Sequence, residues 1–174
     1  MKKQLLYVLS ALVLGSPPAI AGNLSFDTRI SGAGEVYRAK DGDTLIVNVR
    51  DESVYLALKQ RATSKTEQGH FNDKYRSIVV RLAGVDTPES VHPDQSRNSQ
   101  SGASASSFTK ALTEGRSVRF LCYDFGRYGR LICNVEVNQY DLGLRLIEAG
   151  HATYTAKYGA HPYLHDVYLQ AMGR

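Results

Sequence analysis

The sequence predicts an α+β fold that is mainly a β barrel: a five-stranded, OB-like barrel with about three helices packed on it. Three observations carry that expectation. Strand-like runs come first, one helix interrupts them, two more strands follow, and helices finish the chain. Turn residues punctuate the runs at short intervals, as in Asp41-Gly42 and Thr87-Pro88. Neither an internal repeat nor a domain linker divides the 174 residues, so one core has to serve them all.

The chain opens on Met1-Lys-Lys, an apolar run from Leu5 to Leu14, and Ser16-Pro-Pro-Ala-Ile-Ala21. A basic start, a short apolar stretch and a small-residue cleavage site read as an export signal spanning 1–21. The apolar run falls short of the roughly 20 residues that a membrane span needs. Residues 22–174 are then expected to form a single domain of about 150 residues, soluble, monomeric and secreted or periplasmic. The formal net charge of +4 falls by two when Lys2 and Lys3 leave. That mildly basic balance permits a polyanionic partner without demanding one.

Residues 22–32 read as an irregular start. Glu35 to Lys40 and Thr44 to Val49 then flank Asp41-Gly42, a hairpin signal because both turn positions tolerate positive φ. Residues 50–76 turn polar and carry Lys59, Arg61, Lys65, Lys74 and Arg76. They read as a solvated insertion at a hairpin tip, with a contact to phosphates as the remaining possibility. Ser77 to Val85 reads as a strand, and Ser96 to Ser107 as a polar loop. A helix from Ala105 to Glu114 places Phe108 and Leu112 on one face. Strands follow at Val118 to Cys122 and Leu131 to Val135. A second helix, Leu142 to Ala149, stops at Gly150 as at a C-terminal cap, and part of a third lies in the tyrosine-rich tail from Ala152 to Tyr168.

The two cysteines, Cys122 and Cys133, sit on strand-like runs either side of a glycine-containing turn. In an oxidising compartment they are expected to pair across the strands; two buried thiols are the alternative.

Charges stand where strands should not tolerate them. Arg81 follows the apolar run Ile78-Val-Val80, and Asp86 follows Leu82-Ala-Gly-Val85. Burying such charges is costly unless they are paired or bind something. With Asp43 and Glu89 on one side and Arg130 on the other, the inventory suits metal-assisted attack on a phosphodiester. Arg81 and Arg130 can clamp a phosphate bidentately. Asp43 and Asp86 offer hard oxygen ligands that suit Ca²⁺ or Mg²⁺ better than zinc or copper. Glu89, three residues past Asp86 on a chain stiffened by Pro88, is placed to hold or deprotonate a water. Taken singly, each piece has a plainer explanation, such as a turn, a hairpin tip or a structural ion pair. The order and spacing of the whole set are what chance does not supply.

Asp41-Gly-Asp-Thr44, Arg81-Leu-Ala-Gly-Val-Asp-Thr-Pro-Glu89 with His92-Pro93, Ala105 to Lys110, Tyr128-Gly-Arg130 and Leu142 to Ala152 together resemble the staphylococcal nuclease family. The likeness runs from about Gly34 to Tyr158, interrupted mainly by the 50–76 insertion. It implies a secreted, calcium-dependent endonuclease that cuts DNA and RNA at the 5′ P–O bond and leaves 3′-phosphates. It further implies that Asp43, Asp86 and the main-chain carbonyl of Thr87 bind Ca²⁺ and that Glu89 activates water. Arg81 and Arg130 would stabilise the phosphate, and Tyr128 would touch the terminal phosphate. Of two tyrosines that the family sets beside the base, Tyr158 matches one. Ala156 occupies the other position, and Tyr154 is the nearest substitute.

Other readings stand beside this one. One is a non-catalytic OB-type nucleic-acid-binding module, and another is a phosphodiesterase of small nucleotides. His161 and His165 have the i, i+4 spacing of metal ligands but lack acidic or cysteine partners in sequence. His151, at a helix end, is expected to cap or pack.

Overall fold

A computed structural model describes residues 25–89 and 99–173. The expected export signal and His92-Pro93 lie outside these residues. Strand β1 (Ile30–Asp41) turns through Gly42 into β2 (Thr44–Val49), and the two pair antiparallel from Gly34↔Val49 to Asp41↔Thr44. The other edge of β1 pairs with β6 (Ser117–Phe125), which forms a hairpin with β7 (Leu131–Val137). β2 pairs with β4 (Ser77–Leu82), and β4 closes on β7 in parallel through Val80↔Leu131, Arg81↔Ile132 and Leu82↔Cys133. Five strands thus form a closed barrel, as the sequence predicts, and closure removes the exposed edges.

The interior follows from alternation along the strands. Val36, Leu45, Val47, Ile78, Val80, Leu131 and Val135 are fully buried. Each such side chain contributes about 1.5–3 kcal/mol by leaving water. Cys122 and Cys133 face each other across β6 and β7 and form a disulfide inside this core.

The described residues hold five helices rather than about three. The added pair lies in the insertion, which sits between the antiparallel strands β2 and β4 where a hairpin tip was expected. α1 (Glu52–Arg61) starts at Asp51, whose side chain accepts from the Ser53 amide at 2.8 Å. It buries only Tyr55 and Leu58, three residues apart, and a stripe that narrow hardly registers as helical periodicity. α2 (Lys65–Gln68) is held by a capping box between Ser64 and Glu67, and β3 (Phe71–Asn72) returns the chain to β4.

The strand expected from Ser77 to Val85 divides. Gly84 takes φ +66° and breaks it into β4 and a two-residue β5 (Val85–Asp86), which pairs with β9 (Thr153–Tyr154). Helix α3 (Gln100–Thr113) begins five residues before the expected Ala105. Ser99 caps it by accepting from the Gly102 amide at 3.0 Å, and its small residues Gly102, Ala105, Ser106, Thr109 and Thr113 are the ones that bury. After β7, β8 (Tyr140–Asp141) leads into α4 (Leu142–Glu148), and α5 (His165–Met172) packs on α4 and β9. No helix among the described residues is long and apolar enough to cross a membrane.

Candidate active site

The β1–β2 turn, the end of β4 with the following loop, and the β6–β7 turn converge at one end of the barrel. Gly42 is required at the first of these, because a Cβ there would lie 2.8 Å from Thr87 Oγ1. The close approach brings Asp43 to Thr87, whose amide and hydroxyl donate to one carboxylate oxygen of Asp43 at 3.2 and 3.0 Å. The other oxygen accepts from Thr44 Oγ1 at 3.0 Å and meets the Arg81 guanidinium. Asp43 is only 1% exposed, so burial pushes its carboxyl above the ordinary value while the Arg81 charge pulls it back.

Arg81 stands opposite Thr44 in the β2–β4 ladder. Its other terminal nitrogen donates to Asp86 at 2.9 Å and to the Val85 carbonyl at 3.1 Å. One guanidinium therefore bridges a buried carboxylate and an exposed one, Asp86 being 61% open. Arg130 enters from the start of β7 and donates to Thr44 Oγ1 at 2.9 Å, which links it through that hydroxyl to Asp43. Burial, with the nearby Arg81 cation, lowers the Arg130 pKa from its ordinary value, while Asp43, Asp41 and Glu89 oppose that shift. Two cations in one recess repel each other unless an anion lies between or beside them.

Glu89, three residues beyond Asp86, is exposed. Its backbone carbonyl accepts from the Ser99 amide at 3.0 Å and lies against Gly102, where a Cβ would overlap it. Helix α3 thereby supports the segment that carries the carboxylate. A cleft of about 280 Å³ runs beside it, between Asp86–Pro88 and Gly150–Thr153. Tyr128, 62% exposed on the β6–β7 turn, has the Arg127 and Arg130 guanidiniums 5.7 and 5.9 Å from its ring centre.

The structure thus gathers Asp43, Asp86, Thr87, Arg81 and Arg130, with Glu89 near enough for its charge to reach Arg130 and Tyr128 alongside. Tyr158 stands apart, 81% exposed on the loop after β9, with Lys157 over its ring; no contact among the described residues ties it to the arginines. Tyr154 cannot substitute as a stacking residue. It is buried, its hydroxyl is 2.6 Å from His165 Nδ1, and it accepts from the His161 amide at 2.9 Å.

The same contacts give the histidine pair a packing role. His161 Nδ1 accepts from the Leu164 amide at 3.0 Å, so its Nε2 carries the hydrogen donated to Asn134 at 3.1 Å. Burial pushes its pKa down to about 4. His151 packs on Phe108 with ring centres 4.6 Å apart.

Two contributors escaped the sequence reading. Thr44 relays between Arg130 and Asp43, a role that its place in Asp41-Gly-Asp-Thr44 could have suggested. His70, in the insertion, reaches the carbonyl of Tyr128 at 2.7 Å, and nothing in its local sequence signals this.

A family profile described as staphylococcal nuclease homologue matches residues 79–172. A probable endonuclease LCL3 from Pyricularia oryzae is 40% identical over 92 residues, covering 50% of this chain and 35% of that protein. The namesake from Paracoccidioides lutzii is 37% identical over 94 residues, covering 49% of this chain and 27% of its own length. In Botryotinia fuckeliana the corresponding figures are 36% over 92 residues, 50% and 35%. The matches span only about a third of the length of these curated relatives.

Proposed function

We propose, from the premise that this chain belongs to the staphylococcal nuclease homologue family, that it is an exported, calcium-dependent endonuclease. It hydrolyses phosphodiester bonds in DNA and RNA and leaves 3′-phosphates. The observation that carries the reading is the pair of guanidiniums, Arg81 and Arg130, converging on Asp43 and Thr44 beside an exposed Glu89.

The residues fit a hard divalent cation. Asp43, Asp86 and the Thr87 carbonyl come from two segments that Gly42 and Arg81 hold together, and all three offer oxygen. Asp43 is buried enough that Arg81 alone does not return its carboxyl to its ordinary value, and added positive charge would relieve that cost. Among the described residues no group of three or more His, Cys, Asp or Glu forms a metal site by itself. Two carboxylates and a carbonyl leave positions for water and phosphate, which a reactive calcium centre needs. Bound there, calcium would polarise the phosphate and neutralise part of its charge.

The chain's own residues perform the rest. Glu89 accepts the proton of the attacking water as it approaches phosphorus opposite the 5′ oxygen. Arg81 and Arg130 hold the equatorial oxygens, where negative charge grows in the transition state, with Arg130 nearer the departing oxygen. Tyr128 borders the terminal phosphate. Export is supported by the leader-like segment at 1–21 and by the disulfide, which oxidising compartments favour.

The test is cleavage of single-stranded DNA and RNA by the purified chain, with Ca²⁺ or with chelator. Glu89→Ala should lower kcat by about 10²–10⁴-fold. No cleavage with Ca²⁺ sinks the reading and leaves a binding module; cleavage that survives chelator, or full activity in Glu89→Ala, overturns the mechanism as written.

A further inference from the structure

We propose that the 50–76 insertion is a strut that fixes the position of Arg130, with His70 as the positioning residue that locks the β6–β7 turn. The kinetic half of this proposal rests on the nuclease reading above; the structural half does not.

The turn from Gly126 to Arg130 is closed by two bonds of its own, Gly126 N–H to the Arg130 carbonyl at 2.8 Å and Gly129 N–H to the Gly126 carbonyl at 2.7 Å. A solvent-exposed turn held only by such bonds opens readily. Here it is gripped from outside. The Tyr128 carbonyl can only accept, so His70 Nε2 is the donor in the 2.7 Å contact, and neutral and protonated rings both satisfy it. Gly129, the next residue, has φ +75°, and a Cβ on it would lie 2.8 Å from the Glu67 nitrogen and the Thr66 carbonyl carbon. The backbone of α2 therefore lies directly on the turn.

The strut is anchored at its other end. The Glu67 carboxylate accepts from the Thr63 amide at 2.7 Å and the Ser64 amide at 2.9 Å, which stiffens α2. The His70 carbonyl accepts from the Val79 amide at 3.0 Å, and Phe71 pairs with Ile78. His70 is thus built onto β4, the strand that carries Arg81. The two arginines are tied by two routes, the β4–β7 seam inside the barrel and this strut outside it. The strut is what meets the backbone of Tyr128 and Gly129 at the tip of the turn. Two of the insertion's cations pair on its own surface: Lys59 with Asp73, and Arg76 at 3.9 Å from Glu52. Holding the turn has value because displacing a catalytic group by about 1 Å can cost 10²-fold in rate.

His70→Ala and His70→Gln in the full chain test it. In His70→Ala, amide hydrogen exchange at Gly126 and Gly129 should quicken by about five- to tenfold, as for one lost hydrogen bond. Amides around Cys122 and Cys133 should not change. His70→Gln, which keeps an N–H donor at similar reach, should restore protection. On single-stranded DNA with Ca²⁺, His70→Ala should lower kcat by a similar factor with KM within about twofold. In an Arg130→Lys background that loss should vanish. Unchanged exchange in His70→Ala overturns the strut. A loss that multiplies fully with that of Arg130→Lys overturns its assignment to Arg130. If the unaltered chain cleaves nothing, the nuclease reading alone fails, and the exchange comparison still decides the strut.

Discussion

Replacing Gly102 with alanine perturbs the segment that carries Glu89 without altering a charged group. The added Cβ would overlap the Glu89 carbonyl and lie 2.8 Å from the Pro88 oxygen, whereas ordinary contact begins at 3.4 Å. The obstructing atoms are backbone, so no rotamer change relieves the clash. Ser99 resists withdrawal because its amide binds the same carbonyl at 3.0 Å. The segment must retreat by roughly 1 Å, enough to lower kcat by about 10²-fold if Glu89 handles the water. Stability should change little, since alanine in a helix is favoured over glycine by about 1 kcal/mol, which offsets part of the strain. The assay is kcat on single-stranded DNA alongside the melting temperature. In a Glu89→Ala background, Gly102→Ala should cost nothing further. Full activity in the single variant would refute the support of Glu89 by α3, and an added loss in the double variant would refute its route through Glu89.

Two further outcomes follow from the packing. His161 has a folded pKa of about 4 against 6.5 in its ordinary state, so the unfolded chain binds its proton first as pH falls. Its contribution is therefore complete above pH 6.5 and is lost between 6.5 and 4, with a slope of at most about 1.4 kcal/mol per pH unit. Urea unfolding across that range should show a slope that shrinks in His161→Gln; identical slopes would reject the assignment. Reducing Cys122–Cys133, which closes a loop of sequence separation 11, should lower stability by no more than about 3 kcal/mol, read from urea midpoints with and without reductant.

The barrel was legible because each strand buries alternate aliphatic residues against one core, and period-two patterning survives in Thr44–Val49 and Leu131–Val137. The charged group was legible because Arg81 and Asp86 follow apolar runs in sequence, although the structure puts both at outward positions of the alternation. The helices of the insertion were not. α1 stands on Tyr55 and Leu58 alone, and α2 buries nothing. The first turn of α3 was hidden because Ser99, Gly102 and their neighbours are loop formers by composition, and only the cap and the close approach to Glu89 reveal why they are helical. Tyr154 shows the limit of positional reasoning. It stands near a stacking position in sequence, yet alternation along β9 turns it inward while Thr153 faces out.

The parallel seam between β4 and β7 joins parts of the chain that lie far apart in sequence, Val80 with Leu131 and Leu82 with Cys133. Contacts of that kind raise contact order, and closing the β6–β7 hairpin first would shorten the loop between them. Arg81 lies in this seam and Arg130 next to its start, so closing the seam is what brings the two cations together. A partly folded chain would carry its local hairpins without the anion grip. Any slowing of seam formation should then appear as a delayed recovery of phosphate binding after refolding, behind the recovery of secondary structure.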